Sequence, residues 1–153
     1  MVSVIALLAP GQGSQTPGML APWLDDEAAV VTLAGWSDAI GLDLHRLGTT
    51  ADADEIRDTA VTQPLVVATA LLAATRLAAR VALPNCAPTA GHSVGELAAA
   101  AVAGVLTPDA AVALAAVRGR EMAAACALER TGMSAVLGGK PEDVLARDRK
   151  SVV

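Results

Sequence analysis

Gly91-His92-Ser93-Val94-Gly95 stands between a short apolar stretch at residues 84–90 and an Ala-rich helical run over residues 94–103. A G-x-S-x-G pentapeptide in that setting builds a sharp strand-to-helix turn that lifts the serine hydroxyl clear of the backbone. Glycine is needed on both sides because a Cβ there would collide with the turn. The hydroxyl then sits over a helix N-terminus, whose free N–H groups can hold a developing oxyanion. Ser93 is therefore the candidate acyl-transfer nucleophile, with a plain turn serine as the bland alternative. A strand feeding a helix through such a turn also implies an α/β fold: a parallel sheet flanked by helices, with a nucleophile elbow and an α/β-hydrolase-like core.

The 153 residues suffice for one ordinary domain with a core. Hydrophobic residues make up 54% of the chain, yet Trp23 and Trp36 are its only aromatics, so alanine fills much of the core and predicts close helix packing. The net charge is −5 with no basic run, which argues against nucleic-acid binding. A membrane span is not expected, because Arg76 and Arg80 interrupt the nearest apolar segment, residues 64–83. The first nine residues lack the positive region of a secretory signal and read as a buried strand. Cys86 and Cys126 have no metal-ligand spacing and read as reduced thiols of a cytoplasmic protein, with no metal and no cofactor.

Along the chain, residues 2–9 predict a central strand that ends at Pro10 and leads into the loop Gly11-Gln12-Gly13-Ser14-Gln15. Residues 25–40 predict a helix capped by Asp25 or Asp26 and closed at Gly41. Short surface helices are expected around residues 52–58. Thr62 reads as the N-cap of a long helix with Pro64 in its first turn, running to about Val81. Residues 84–90 predict the strand before the serine, and Gly104 stops the helix after it. Thr107-Pro108-Asp109 combines a cap, a first-turn proline and an acid matched to the helix dipole, opening a helix to about Leu128. Residues 133–137 predict a strand, and Pro141 starts a further helix.

Four other residues invite a functional reading. His92 adjoins the serine, but neighbours in a tight turn point apart, so it reads as a turn-bracing residue and not as the base. His45, in Gly41-Leu-Asp-Leu-His-Arg-Leu-Gly48, reads as a solvated histidine on an exposed turn. The loop holding Gln12 lacks the spacing of phosphate-binding loops. It serves either as a source of one backbone N–H for the oxyanion or as an ordinary turn. Arg118 lies on an otherwise apolar helix, where its partner is either a substrate carboxylate or Glu121 at i+3.

Taken in order, Gly-Gln-Gly-Ser-Gln after the first strand, Thr62-Gln63-Pro64, Gly-His-Ser-Val-Gly-Glu96, and Arg118-Gly119 25 residues past the serine resemble one family. They resemble the malonyl-CoA:acyl carrier protein transacylases and the related acyltransferase domains of polyketide synthases, over residues 2–146. The resemblance implies that Ser93 takes the malonyl group from coenzyme A as an ester and passes it to the phosphopantetheine thiol of acyl carrier protein. Backbone N–H groups of Gln12 and Val94 would form the oxyanion hole, Arg118 would grip the malonyl carboxylate, and Gln63 and His92 would line the site. Val94 after the serine resembles malonyl-type enzymes, whereas methylmalonyl-type domains tend to carry Gln. The implied partners are acyl carrier protein and a coenzyme A thioester, in fatty-acid or polyketide synthesis.

The family's general base is a histidine in the second half of a chain about twice this length. The expectation is thus an N-terminal fragment lacking that base and inactive on its own. Residues 1–128 would form the start of the acyltransferase core. Residues 129–147, entered through Gly132-Met-Ser-Ala-Val-Leu-Gly138, would begin a small ferredoxin-like subdomain. Residues 148–153, ending in Ser-Val-Val, propagate helix poorly and read as a non-native tail of the kind that adapter read-through produces. Two rivals remain: a serine esterase of the α/β-hydrolase type, and a non-catalytic truncated product.

Overall fold

A computed structural model describes residues 5–82, 84, 87–128 and 138–148. The element order is β1 (Leu7–Ala9), α1 (Glu27–Ile40), α2 (Leu44–Thr49), α3 (Thr59–Arg80), β2 (Thr89–Gly91), α4 (Gly95–Val102), α5 (Pro108–Leu128) and α6 (Pro141–Asp148). Short 3-10 turns occupy Ala21–Trp23 and Glu55–Arg57. The fold is mixed α/β and helix-rich, with a small parallel sheet. Among the described residues that sheet has two strands, β1 beside β2, in the register Leu7↔Thr89, Leu8↔Ala90 and Ala9↔Gly91. Among the described residues, the apolar run at the start of the chain pairs through Leu7–Ala9. Residues 133–137, Cys86 and the tail from 149 lie outside the described residues.

Local chemistry fixes most helix ends. The Asp26 carboxylate accepts from the Ala28 N–H at the start of α1, and Gly41 takes the left-handed conformation at its close (φ 68°). The Thr107 hydroxyl accepts from the Ala110 N–H and opens α5. Helix α3 differs from the sequence reading. Its cap is Asp58, which accepts from the Ala60 N–H, so Thr62 and Pro64 lie inside the helix. Thr62 is buried and donates its hydroxyl to the Ile56 carbonyl (2.5 Å), while Pro64 leaves the Ala60 carbonyl without its i+4 donor. The segment expected as an exposed turn at residues 41–48 is instead largely helix α2, burying Leu44 and Leu47 and keeping His45 exposed.

The core forms where α3 packs along α5, with α4 against both helices and against the two strands. Leu65, Val67, Ala68 and Leu71 of α3 meet Ala111, Val112 and Ala115 of α5 in one buried cluster that also holds Leu20, Leu33 and Leu44. Alanines on α5 let the helices approach closely, as the composition predicted. Trp36 is buried on α1 and donates its indole N–H to the Asp109 carboxylate at the start of α5 (2.7 Å). By length and composition α3 could cross a membrane (mean hydropathy 1.4 in its most apolar window), but half of that window is buried inside the protein. An apolar cavity of about 280 Å³ opens between α3, β1 and α4, lined by Leu7, Val66, Ala70, Leu77 and Ala98.

Candidate active site

The parallel register sets Ala9 opposite Gly91, so the loops leaving both strands emerge side by side. The His92 N–H donates to the Ala9 carbonyl (3.1 Å), and the His92 carbonyl accepts from the Gly95 N–H (3.0 Å). The backbone of His92 therefore ties the turn to the first strand. Among the described residues, Ser93 is the one non-glycine with a positive φ, at 56°. That conformation costs an L-residue on the order of 1–2 kcal/mol. The turn around it tolerates no extra atoms. A Cβ on Gly91 would strike the backbone of Gly95, and one on Gly95 would come within 2.5 Å of the Ala9 carbonyl oxygen. Ser93 is exposed and Val94 is buried beneath it. The N–H groups of Gln12 and Val94 have no acceptor among the described residues, so both are free to donate.

Arg118 reaches this turn from α5. One end of its guanidinium donates to the Ser93 hydroxyl oxygen (Nη2 to Oγ, 3.1 Å) and the other to the side-chain carbonyl of Gln63 (Nη1 to Oε1, 2.7 Å). Glu121, the local partner considered from the sequence, forms no ion pair with it among the described residues. The half-buried cation therefore rests on two neutral oxygens. Gln63 is fully buried. Since its Oε1 accepts from Arg118, its Nε2 turns to the Met122 sulfur (3.2 Å) and to the Gln12 side-chain oxygen (3.5 Å). Gln12 in turn donates from Nε2 to the Thr59 hydroxyl (3.1 Å). The structure thus brings Ser93, Gln12, Gln63 and Arg118 into one hydrogen-bonded track.

The sequence reading missed Met122 and Thr59. Their signal was the i,i+4 spacing of Thr59 with Gln63 on α3 and of Arg118 with Met122 on α5, which sets each pair on one helix face. Gly119 brings those faces together: a Cβ there would lie 2.8 Å from the Thr59 carbonyl oxygen and 3.1 Å from the Ala60 Cα. Among the described residues no histidine hydrogen-bonds to Ser93, and no cluster of His, Cys, Asp and Glu could hold a metal ion. The perturbed charges lie elsewhere. Hydrogen bonding to Arg76 lowers the Asp25 carboxyl below its ordinary range, and Arg46 does the same to Glu55.

The family described as acyl transferase domain matches residues 7–153. The chain belongs to that family. As an acyl transferase domain it is 63% identical over 145 residues to the malonyl CoA-acyl carrier protein transacylase of Mycobacterium tuberculosis strain H37Rv, covering 94% of this chain and 48% of the relative. It superimposes on the crystal structure of MCAT from M. tuberculosis with a TM-score of 0.88 at 60% identity, over 97% of this chain and 49% of the other. A type II PKS malonyl-transacylase in complex with its acyl-carrier protein matches with a TM-score of 0.70 at 35% identity, over 80% of this chain and 40% of the other. The chain spans about half the length of the curated relatives it matches.

Proposed function

We propose that this chain supplies the nucleophile and the carboxylate-binding arginine of a malonyl-CoA:acyl carrier protein transacylase. The observation that carries the reading is Arg118, a half-buried cation held by neutral oxygens and 3.1 Å from the Ser93 hydroxyl. A carboxylate is the natural ligand for such a group, since two parallel charge-assisted bonds would replace two neutral ones. An esterase for plain acyl groups has no use for a cation beside its serine, which disfavours that rival.

In this reading Ser93 rides a nucleophile elbow within an α/β-hydrolase-like core. Its oxygen attacks the thioester carbon of malonyl-CoA while its proton passes to a base, and the carbonyl electron pair moves onto oxygen. The free N–H groups of Gln12 and Val94 receive that oxyanion. Collapse expels the coenzyme A thiolate, which takes a proton and leaves a malonyl ester on Ser93. The phosphopantetheine thiol of acyl carrier protein then attacks the ester in the same manner and frees the serine. Neither His92 nor His45 makes the contact a base requires, so the base lies outside the described residues. No cofactor enters this scheme, and the setting is cytoplasmic fatty-acid or polyketide synthesis.

The test grafts this chain in place of the matched half of the M. tuberculosis relative and incubates the product with malonyl-CoA. Peptide mass mapping should place the malonyl mass on the Ser93 peptide, and label on Cys86 or Cys126 would overturn the assignment. Arg118→Ala should lose malonyl transfer by about 2–5 kcal/mol, the cost of leaving a desolvated carboxylate unpaired, while acetyl transfer persists. Equal loss of both activities would reduce Arg118 to a structural role.

A further inference from the structure

The contact between Arg118 and Ser93 joins the group proposed to bind the acid to the atom proposed to attack the thioester. Nη2 donates one of its two N–H groups to Oγ at 3.1 Å while Nη1 donates one of its two to Gln63 at 2.7 Å, so each terminal nitrogen already serves one neutral acceptor. A carboxylate binding end-on to that fork uses the same two nitrogens, and its charged oxygens are stronger acceptors there than the neutral Oγ. Gln63 is buried and fixed by Met122, whereas Ser93 is exposed and contributes one neutral acceptor. Of the two bonds, the one to Ser93 is the easier to surrender.

Resting on the transacylase reading, we infer that Ser93 and the substrate carboxylate compete for Nη2 of Arg118. Before an acid binds, the guanidinium occupies a lone pair of Oγ and lowers its nucleophilicity. A carboxylate draws Nη2 away and releases that lone pair next to the thioester it accompanies. An acyl group without a carboxylate meets a serine still held. Selection for acid-bearing acyl groups thus acts on the readiness of the nucleophile as well as on binding.

The competition is a binding linkage and can be measured on the grafted enzyme without turnover. Malonate is titrated at constant ionic strength while the Arg118 side-chain Nε–H resonance is followed by NMR and assigned by its loss in Arg118→Ala. Removing the competing oxygen should tighten malonate binding about two- to tenfold, the net worth of one hydrogen bond. Ser93→Ala makes that change, and Ser93→Gly repeats it with a residue at ease at φ 56°. Tightening in both variants supports the competition. Unchanged or weaker binding overturns it and leaves Arg118 as a carboxylate site. No response of Arg118 to malonate in any variant overturns the carboxylate role itself, and the competition with it.

Discussion

Gly119→Ala tests how the two halves of the candidate site are held together. The added Cβ would lie 2.8 Å from the Thr59 carbonyl oxygen and 3.1 Å from the Ala60 Cα, and both are backbone atoms that cannot rotate away. Overpacking of this kind costs about 1–3 kcal/mol. The same change also gains about 1 kcal/mol, because alanine is the better helix former. Gly35→Ala on α1 provides the control, since a Cβ there meets nothing within 4 Å and should stabilise by about 0.4–1 kcal/mol. Both substitutions share the helix gain, so the difference in their unfolding free energies isolates the collision at about 1–3 kcal/mol. Urea denaturation of the grafted enzyme followed by circular dichroism measures it. Relieving the contact moves α5 by at least about 0.6 Å, and Arg118 moves with it, away from Ser93. A displacement on that scale should lower malonyl transfer by on the order of tenfold or more. Equal stabilisation by both substitutions, with transfer unchanged, would refute the idea that close seating of α5 on α3 positions the arginine.

Asp58→Ala removes the cap of α3 and should cost about 0.5–2 kcal/mol in the same denaturation assay, whereas Thr62→Ser, which keeps its hydroxyl, should not reproduce a cap loss. Asp25→Asn tests the ion pair with Arg76. The paired carboxyl is lowered in the folded protein, so its stabilisation is present above the ordinary carboxyl range and fades as pH falls through the lowered value. The stability gap between wild type and Asp25→Asn should be open at pH 7 and narrow as the pH falls below the ordinary carboxyl range, and a constant gap would show that the charge contributes nothing. The 153-residue chain by itself, whose described histidines do not reach Ser93, should transfer malonyl about 10²–10⁴-fold more slowly than the grafted enzyme. Comparable turnover in the two proteins would refute the absence of a base.

Features set by neighbouring residues were legible in the sequence. Asp26 with Gly41 and Thr107 with Pro108 each mark a helix end through groups only a few residues apart, and those ends are where the reading placed them. The start of α3 misled because Thr62-Gln63-Pro64 has the chemistry of a first turn. Asp58 supplies the cap from further back, and the Thr62 hydroxyl is spent on the Ile56 carbonyl. The first strand, expected over residues 2–9, is described at Leu7–Ala9, where it pairs with the three-residue strand Thr89–Gly91. Ser93, Gln63 and Arg118 could each be picked out as motif residues. Gln63 as the neighbour of Arg118, in place of Glu121 at i+3, could not be read from spacing, because it lies 55 positions away and meets the arginine only after α3 and α5 have packed.

The indole of Trp36, buried and bonded to Asp109, gives the protein an uneven optical signature. With no tyrosine or phenylalanine and only Trp23 besides, near-ultraviolet signals come from two rings. Trp36 reports whether α1 is seated on the start of α5, far along that helix from Arg118. Its emission should follow the opening of that junction faithfully and should barely register a rearrangement of Ser93, Gln63 and Arg118. A variant could therefore lose the site while its fluorescence melting curve stays that of the wild type. A tryptophan introduced at the exposed Val117, beside the arginine, would give the silent end of α5 a signal of its own.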